Sequence, residues 1–85
     1  MIKFEFQVQD PAGLQAKPAG QLVKAAITCN SKVTLQKGEK SGDAKLIFHV
    51  LSLSIKKGET VEVIVEGEKE QEEAAALEKF IKENI

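Results

Sequence analysis

The 85-residue chain contains one cysteine, one histidine and no long apolar run. Each scarcity excludes something. A single thiol, Cys29, can close no disulfide within the chain and can build no multi-cysteine metal centre, which fits a reducing cytoplasm. The lone His49 has no second histidine at metal-ligand spacing, and there is neither a Gly-x-Gly-x-x-Gly fingerprint nor a P-loop. No metal, cofactor or conventional catalytic centre is expected. The longest apolar stretch, residues 46–55, is broken by His49, Ser52 and Ser54 and falls short of the roughly 20 residues that span a bilayer. The N-terminus alternates apolar and charged residues instead of forming a signal segment, so no membrane anchor is expected. An excess of one charge is missing too. Twelve basic against thirteen acidic residues leave a formal net charge of −1, so no global positive field gathers nucleic acid.

What remains is ordinary globular material, 42% hydrophobic and 29% charged, in a length that predicts one domain over residues 1–85. Residues 2–9 alternate apolar and polar with period two, the signature of a strand with one wet face. Asp10-Pro11-Ala12-Gly13 is rich in turn formers, and Pro18 suits the first turn of a helix that starts near Ala16. In that helix Ala19, Leu22, Val23, Ala26 and Ile27 recur at spacings of three and four and predict an inward face. Residues 33–36 read as a second strand, and Gly38 supplies a tight turn to a short third strand over 40–42. Residues 44–53 fit neither period cleanly, but their Leu and Ala content after Gly42-Asp43 favours a short helix. Residues 60–66 are β-branched, with Val61, Val63 and Val65 on one face. Residues 68–84 close the chain as an amphipathic helix striped with Ala74, Leu77 and Ile81. The order β-α-β-β-α-β-α predicts an α+β open-faced sandwich: a four-stranded antiparallel sheet with three helices on one face. The first and last strands carry the best apolar stripes and are expected together at the sheet centre, with the third strand at an edge.

Few side chains are candidates for chemistry. The carboxylates between Glu68 and Glu83 read as a solvated helix face, Cys29 as a buried thiol and His49 as a surface polar residue.

The segment Gly13-Leu14-Gln15-Ala16-Lys17-Pro18-Ala19 resembles the Gly-Leu-His-x-Arg-Pro-Ala signature of the HPr family, the histidine-containing phosphocarriers of the bacterial sugar phosphotransferase system. Similarity continues through Ala44-Lys45-x-Ile47, the Lys57-Gly58 turn and Val65-Glu66-Gly67-Glu68, nearly end to end. The resemblance implies the HPr-like sandwich fold, a cytoplasmic location, and a histidine at position 15 that accepts phosphate from Enzyme I. Here that position holds Gln15. An amide nitrogen whose lone pair is delocalised into the carbonyl is neither basic nor nucleophilic near neutral pH, so no phosphate is expected on it. Lys17 stands at the arginine position, keeping a cation but losing the planar two-pronged grip on phosphate. Glutamine at this place is similar to the Crh-like branch of the family, which regulates carbon catabolite repression. That branch is phosphorylated on a serine at the start of the short helix, where this chain has Leu46. Ser41, Ser52 and Ser54 lie nearby as substitute hydroxyls.

The family's docking face maps onto Gln15, Lys17, Gly20, Lys24, Lys45, Ile47, Phe48 and Leu51. A competing assignment places Ile47, Phe48 and Leu51 in the core, although Val50, Leu53 and Ile55 already supply an inward stripe. The expected partners are proteins: Enzyme I, another phosphotransferase component or a transcriptional regulator. Alternative readings are a carrier that uses His49 as acceptor and a structural or assembly module. The chain is expected as a monomer or weak dimer.

Overall fold

A computed structural model describes all 85 residues. It contains β1 (Ile2–Gln7), α1 (Ala16–Ile27), β2 (Lys32–Lys37), β3 (Lys40–Asp43), α2 (Ile47–Ser52), β4 (Thr60–Glu66) and α3 (Glu70–Asn84). The four strands form one antiparallel sheet, with the three helices on one face, as the alternation of the sequence predicts. Val61, Val63 and Val65 of β4 are completely buried, and Val33 and Leu35 of β2 lie beside them. Onto this layer α1 presents Ala19, Leu22, Val23 and Ala26, while α3 presents Ala74, Leu77 and Ile81. All of these side chains belong to a single apolar cluster.

The strand order is β1-β4-β2-β3, which corrects the expected placement of β1. β4 pairs with β1 on one side and β2 on the other, so β4 and β2 are central and β1 lies at an edge. A period-two stripe reports which face of a strand is buried and carries no information on how many neighbours it has. β1 itself shows the difference. Phe6 is buried, but Ile2 and Phe4 are only partly covered.

Two other expectations shift. The segment at 42–46 does not join α2, because Asp43 still pairs with Thr34 across the hairpin and the buried Ala44 donates its N–H to the Val33 carbonyl at 2.9 Å. Helical residues begin only at Ile47. Ile27 does not join the core but stands 59% exposed at the last position of α1. Cys29, two residues on and buried, takes the inward place instead.

The connection to β2 is held by a carboxylate from α3. Glu73 accepts the backbone N–H of Asn30 at 2.7 Å and of Ser31 at 2.9 Å, together with the Ser31 hydroxyl. The Ser31 hydroxyl, and then the two amides, hold the Glu73 carboxyl below the usual carboxylate range. Ser31 is thereby buried with its hydrogen bonding satisfied.

Candidate functional site

The site is assembled where β1 gives way to α1. Gly13 has φ +75° and packs so closely on the 55–56 backbone that a Cβ would sit 2.5 Å from the Ile55 carbonyl oxygen. Leu14, fully buried, donates its N–H to that same oxygen at 2.9 Å. These two residues anchor the loop, and the chain then emerges into solvent at Gln15. Gln15 is the N-cap of α1, extended at φ −132° and ψ 165°, but its side chain makes no capping hydrogen bond. Its exposed carboxamide is free to meet a partner.

Ala16 follows at φ +47°, in the left-handed region that an alanine enters at a cost of about 1 kcal/mol or more. The first turn of α1 contains no acidic residue. Exposed Lys17 therefore adds its charge to the positive end of the helix dipole without a compensating carboxylate on that turn. A cation thus stands at the N-terminus of α1 beside the exposed Gln15.

From there the exposed ridge of α1 runs through Lys17, Gly20 and Lys24 at spacings of three and four residues, which share one helical face. A Cβ on Gly20 would meet nothing within 4 Å, so the ridge is flat and open at its middle. α2 lies alongside. Ile47 and Leu51 are partly buried against the core, so the two competing assignments each describe half of their surface. Phe48 projects outward with 81% exposure and Leu46 with 48%, while Val50, Leu53 and Ile55 turn inward as the sequence implies. Lys45 is less free than Lys17 and Lys24: its Nζ donates to the Cys29 carbonyl at 2.7 Å and braces the turn before α2 against the end of α1.

The alternative acceptors are spread out. His49 is exposed, and its Nδ1 accepts the Asp43 N–H at 3.2 Å, tying α2 to the edge strand β3. Ser41 is exposed on β3, and Ser52 donates its hydroxyl to the His49 carbonyl at 2.8 Å. Ser54 is exposed at φ +51°. The Cys29 thiol is buried, and that burial, reinforced by the nearby Glu73 carboxylate, pushes it above its ordinary pKa and away from the reactive thiolate. Sequence reasoning did not find Ile27 or the left-handed Ala16. A helical wheel places Ile27 with the core, and no local sequence signal marks Ala16.

Fold and site together define a small open-faced sandwich that presents a helix N-terminus and a neighbouring apolar helix to solvent. Residues 2–83 match the family described as the PTS HPr component phosphorylation site. Among curated relatives, the HPr-like protein Crh of Halalkalibacterium halodurans is 38% identical over 81 residues, covering 95% of this chain and 96% of that protein. An HPr structure from Thermoanaerobacter tengcongensis superposes with a TM-score of 0.92 at 30% identity, covering 99% of this chain and 94% of the other. The crystal structure of Bacillus subtilis Crh, described as a domain-swapped dimer, gives 0.76 at 35% identity, with 100% and 98% covered. The chain belongs to the HPr family, and Crh proteins are among the relatives it resembles.

Proposed function

We propose that this chain is an HPr-family binding protein of the cytoplasm that takes no phosphate at the family site and acts by docking to other proteins, in carbon catabolite regulation as the Crh likeness suggests. The observation that carries the reading is Gln15 at the N-cap of α1, exposed to solvent but chemically inert toward phosphorus. Leu46 removes the hydroxyl from the second family phosphosite. The docking face consists of Gln15, Lys17, Gly20, Lys24, Lys45, Ile47, Phe48 and Leu51. An apolar centre on Phe48 with a lysine rim suits a transient partner that brings an acidic, partly apolar groove, such as Enzyme I, another phosphotransferase component or a transcriptional regulator.

Titrating isotope-labelled protein with Enzyme I tests the surface. Amide shifts are expected to concentrate at 15–24 and 45–51, and Phe48→Ala should weaken binding by about 1 to 3 kcal/mol while leaving the fold intact, because the side chain is mostly in water. Undiminished affinity in Phe48→Ala would remove the face from consideration. A second reading, a carrier that uses His49, is favoured by the geometry of that ring alone: with Nδ1 engaged by the Asp43 amide, Nε2 is the nitrogen left to attack. It requires an acid-labile adduct on His49, which mass mapping after incubation with Enzyme I and phosphoenolpyruvate would reveal.

A further inference from the structure

Four large apolar side chains stand exposed, and one of them, Phe48, is nearly as accessible as in an unfolded chain at 81%. On the flank of α1 that faces α3 there is a matching concavity. Ala25 on α1 and Ala76 on α3 are too small to fill the space between the two helices, leaving an open groove of about 380 Å³ that Cys29, Glu73, Leu77 and Phe80 also line. A volume at the low end of the range for small-molecule pockets is ample for one aromatic ring.

Charge is segregated in the same sense. Between Pro11 and Lys57 the chain carries eight lysines against Glu39 and Asp43; from Gly58 onward it carries nine glutamates against three lysines. α1 and α2 contain no acidic residue, whereas the first turn of α3 contains Glu70, Glu72 and Glu73. The apolar knob on α2 beside the lysines of α1, and the apolar groove between α1 and the acidic α3, are therefore separate features of one molecule. They are complementary to each other.

We infer that the chain self-associates head to tail, Phe48 of one copy entering the α1–α3 groove of the next while Lys17 and Lys24 approach the glutamates of α3. The inference rests on the reading that the Phe48 face is a docking surface, and it names a second copy as one occupant. A contact made by one knob in one groove is heterologous and leaves a free knob at one end of the assembly and a free groove at the other, so growth does not stop at two. The attraction between the charged faces weakens as the screening length falls from about 10 Å at 0.1 M salt to about 3 Å at 1 M. Partner binding and self-association compete for the same aromatic ring.

Sedimentation equilibrium on the purified full chain, from micromolar to millimolar concentration, tests this. The average mass should rise past two protomers without a plateau at low salt and fall back toward one protomer at high salt. Phe48→Ala removes the knob, and Ala76→Phe fills the groove at an exposed position, so each variant alone should associate at least tenfold more weakly. Mixing them should produce a complex that stops at two, since Phe48 on the Ala76→Phe chain can still enter the intact groove of the Phe48→Ala chain. A misfolded variant could not complement in this way. Wild-type protein that stays at one protomer throughout, or a saturating dimer insensitive to Phe48→Ala and to salt, would overturn the inference. If Phe48→Ala loses Enzyme I while the wild type remains a single protomer, only self-association fails and the docking face stands.

Discussion

Replacing Gly13 with alanine tests how the loop that presents Gln15 is held. The new Cβ would lie 2.5 Å from the Ile55 carbonyl oxygen and 3.0 Å from the Lys56 Cα, both backbone atoms that cannot rotate away. Holding an alanine at φ +75° costs about 1 to 2 kcal/mol by itself. Relieving the clash must also stretch or break the Leu14 N–H bond to the same Ile55 oxygen, a further net loss of about 0.5 to 1.5 kcal/mol. The sum is about 1.5 to 3.5 kcal/mol, and in a protein of this size each kcal/mol moves the midpoint by about 4 to 8 °C, so Tm should fall by about 6 to 28 °C. Gly38→Ala is the control. Gly38 also has a positive φ, +59°, but nothing lies within 4 Å of its missing Cβ, so it should show the conformational cost alone. Calorimetry on the two variants decides the matter: if Gly13→Ala melts within about 2 °C of Gly38→Ala, the close packing of this loop on the 55–56 backbone contributes nothing to stability and the reasoning is wrong.

Further outcomes follow from other contacts. Glu73 has a folded-state pKa below its unfolded value, so its contribution is present above the ordinary carboxylate range near pH 4 and is lost as the pH falls through the depressed folded value; Glu73→Gln should lower stability at neutral pH and flatten this acid limb in urea titrations repeated from pH 6 to 2, and an unchanged limb would contradict the assignment. Glu5 and Glu62 stand directly opposite on the wet face of the β1–β4 pair, so Glu62→Lys should replace repulsion by attraction and gain up to about 1 kcal/mol in chemical denaturation, whereas a loss would refute it.

Much of this fold is legible in the sequence. Val61, Val63 and Val65 alternate so regularly that β4 is read to the residue, and the stripe of Ala74, Leu77 and Ile81 places α3. Pattern fails where long-range pairing decides. β1 alternates as well as β4 and still ends at an edge, because neighbour count is a property of the sheet rather than of the strand. The α2 boundary is hidden because Ala44 is apolar for a reason unrelated to the helix: it is buried against β2, with its amide on Val33. At the site, Gln15, Lys17 and Phe48 are singled out by the resemblance to the HPr signature and its docking face, with the inward stripe of Val50, Leu53 and Ile55 arguing against a core place for Phe48. Ile27, the close approach of Gly13 to Ile55 and the tether from Lys45 to Cys29 depend on residues distant in sequence, and no local signal reports them.

Incubating the purified chain and its Gln15→His variant with Enzyme I and radiolabelled phosphoenolpyruvate tests most directly the proposal that no phosphate enters at position 15. Gln15→His should acquire an acid-labile label, more slowly than an arginine-containing carrier because Lys17 grips phosphate less well, and the unaltered chain should acquire none. Label on the unaltered chain would mean that phosphate enters this protein by a route that does not need an imidazole at position 15.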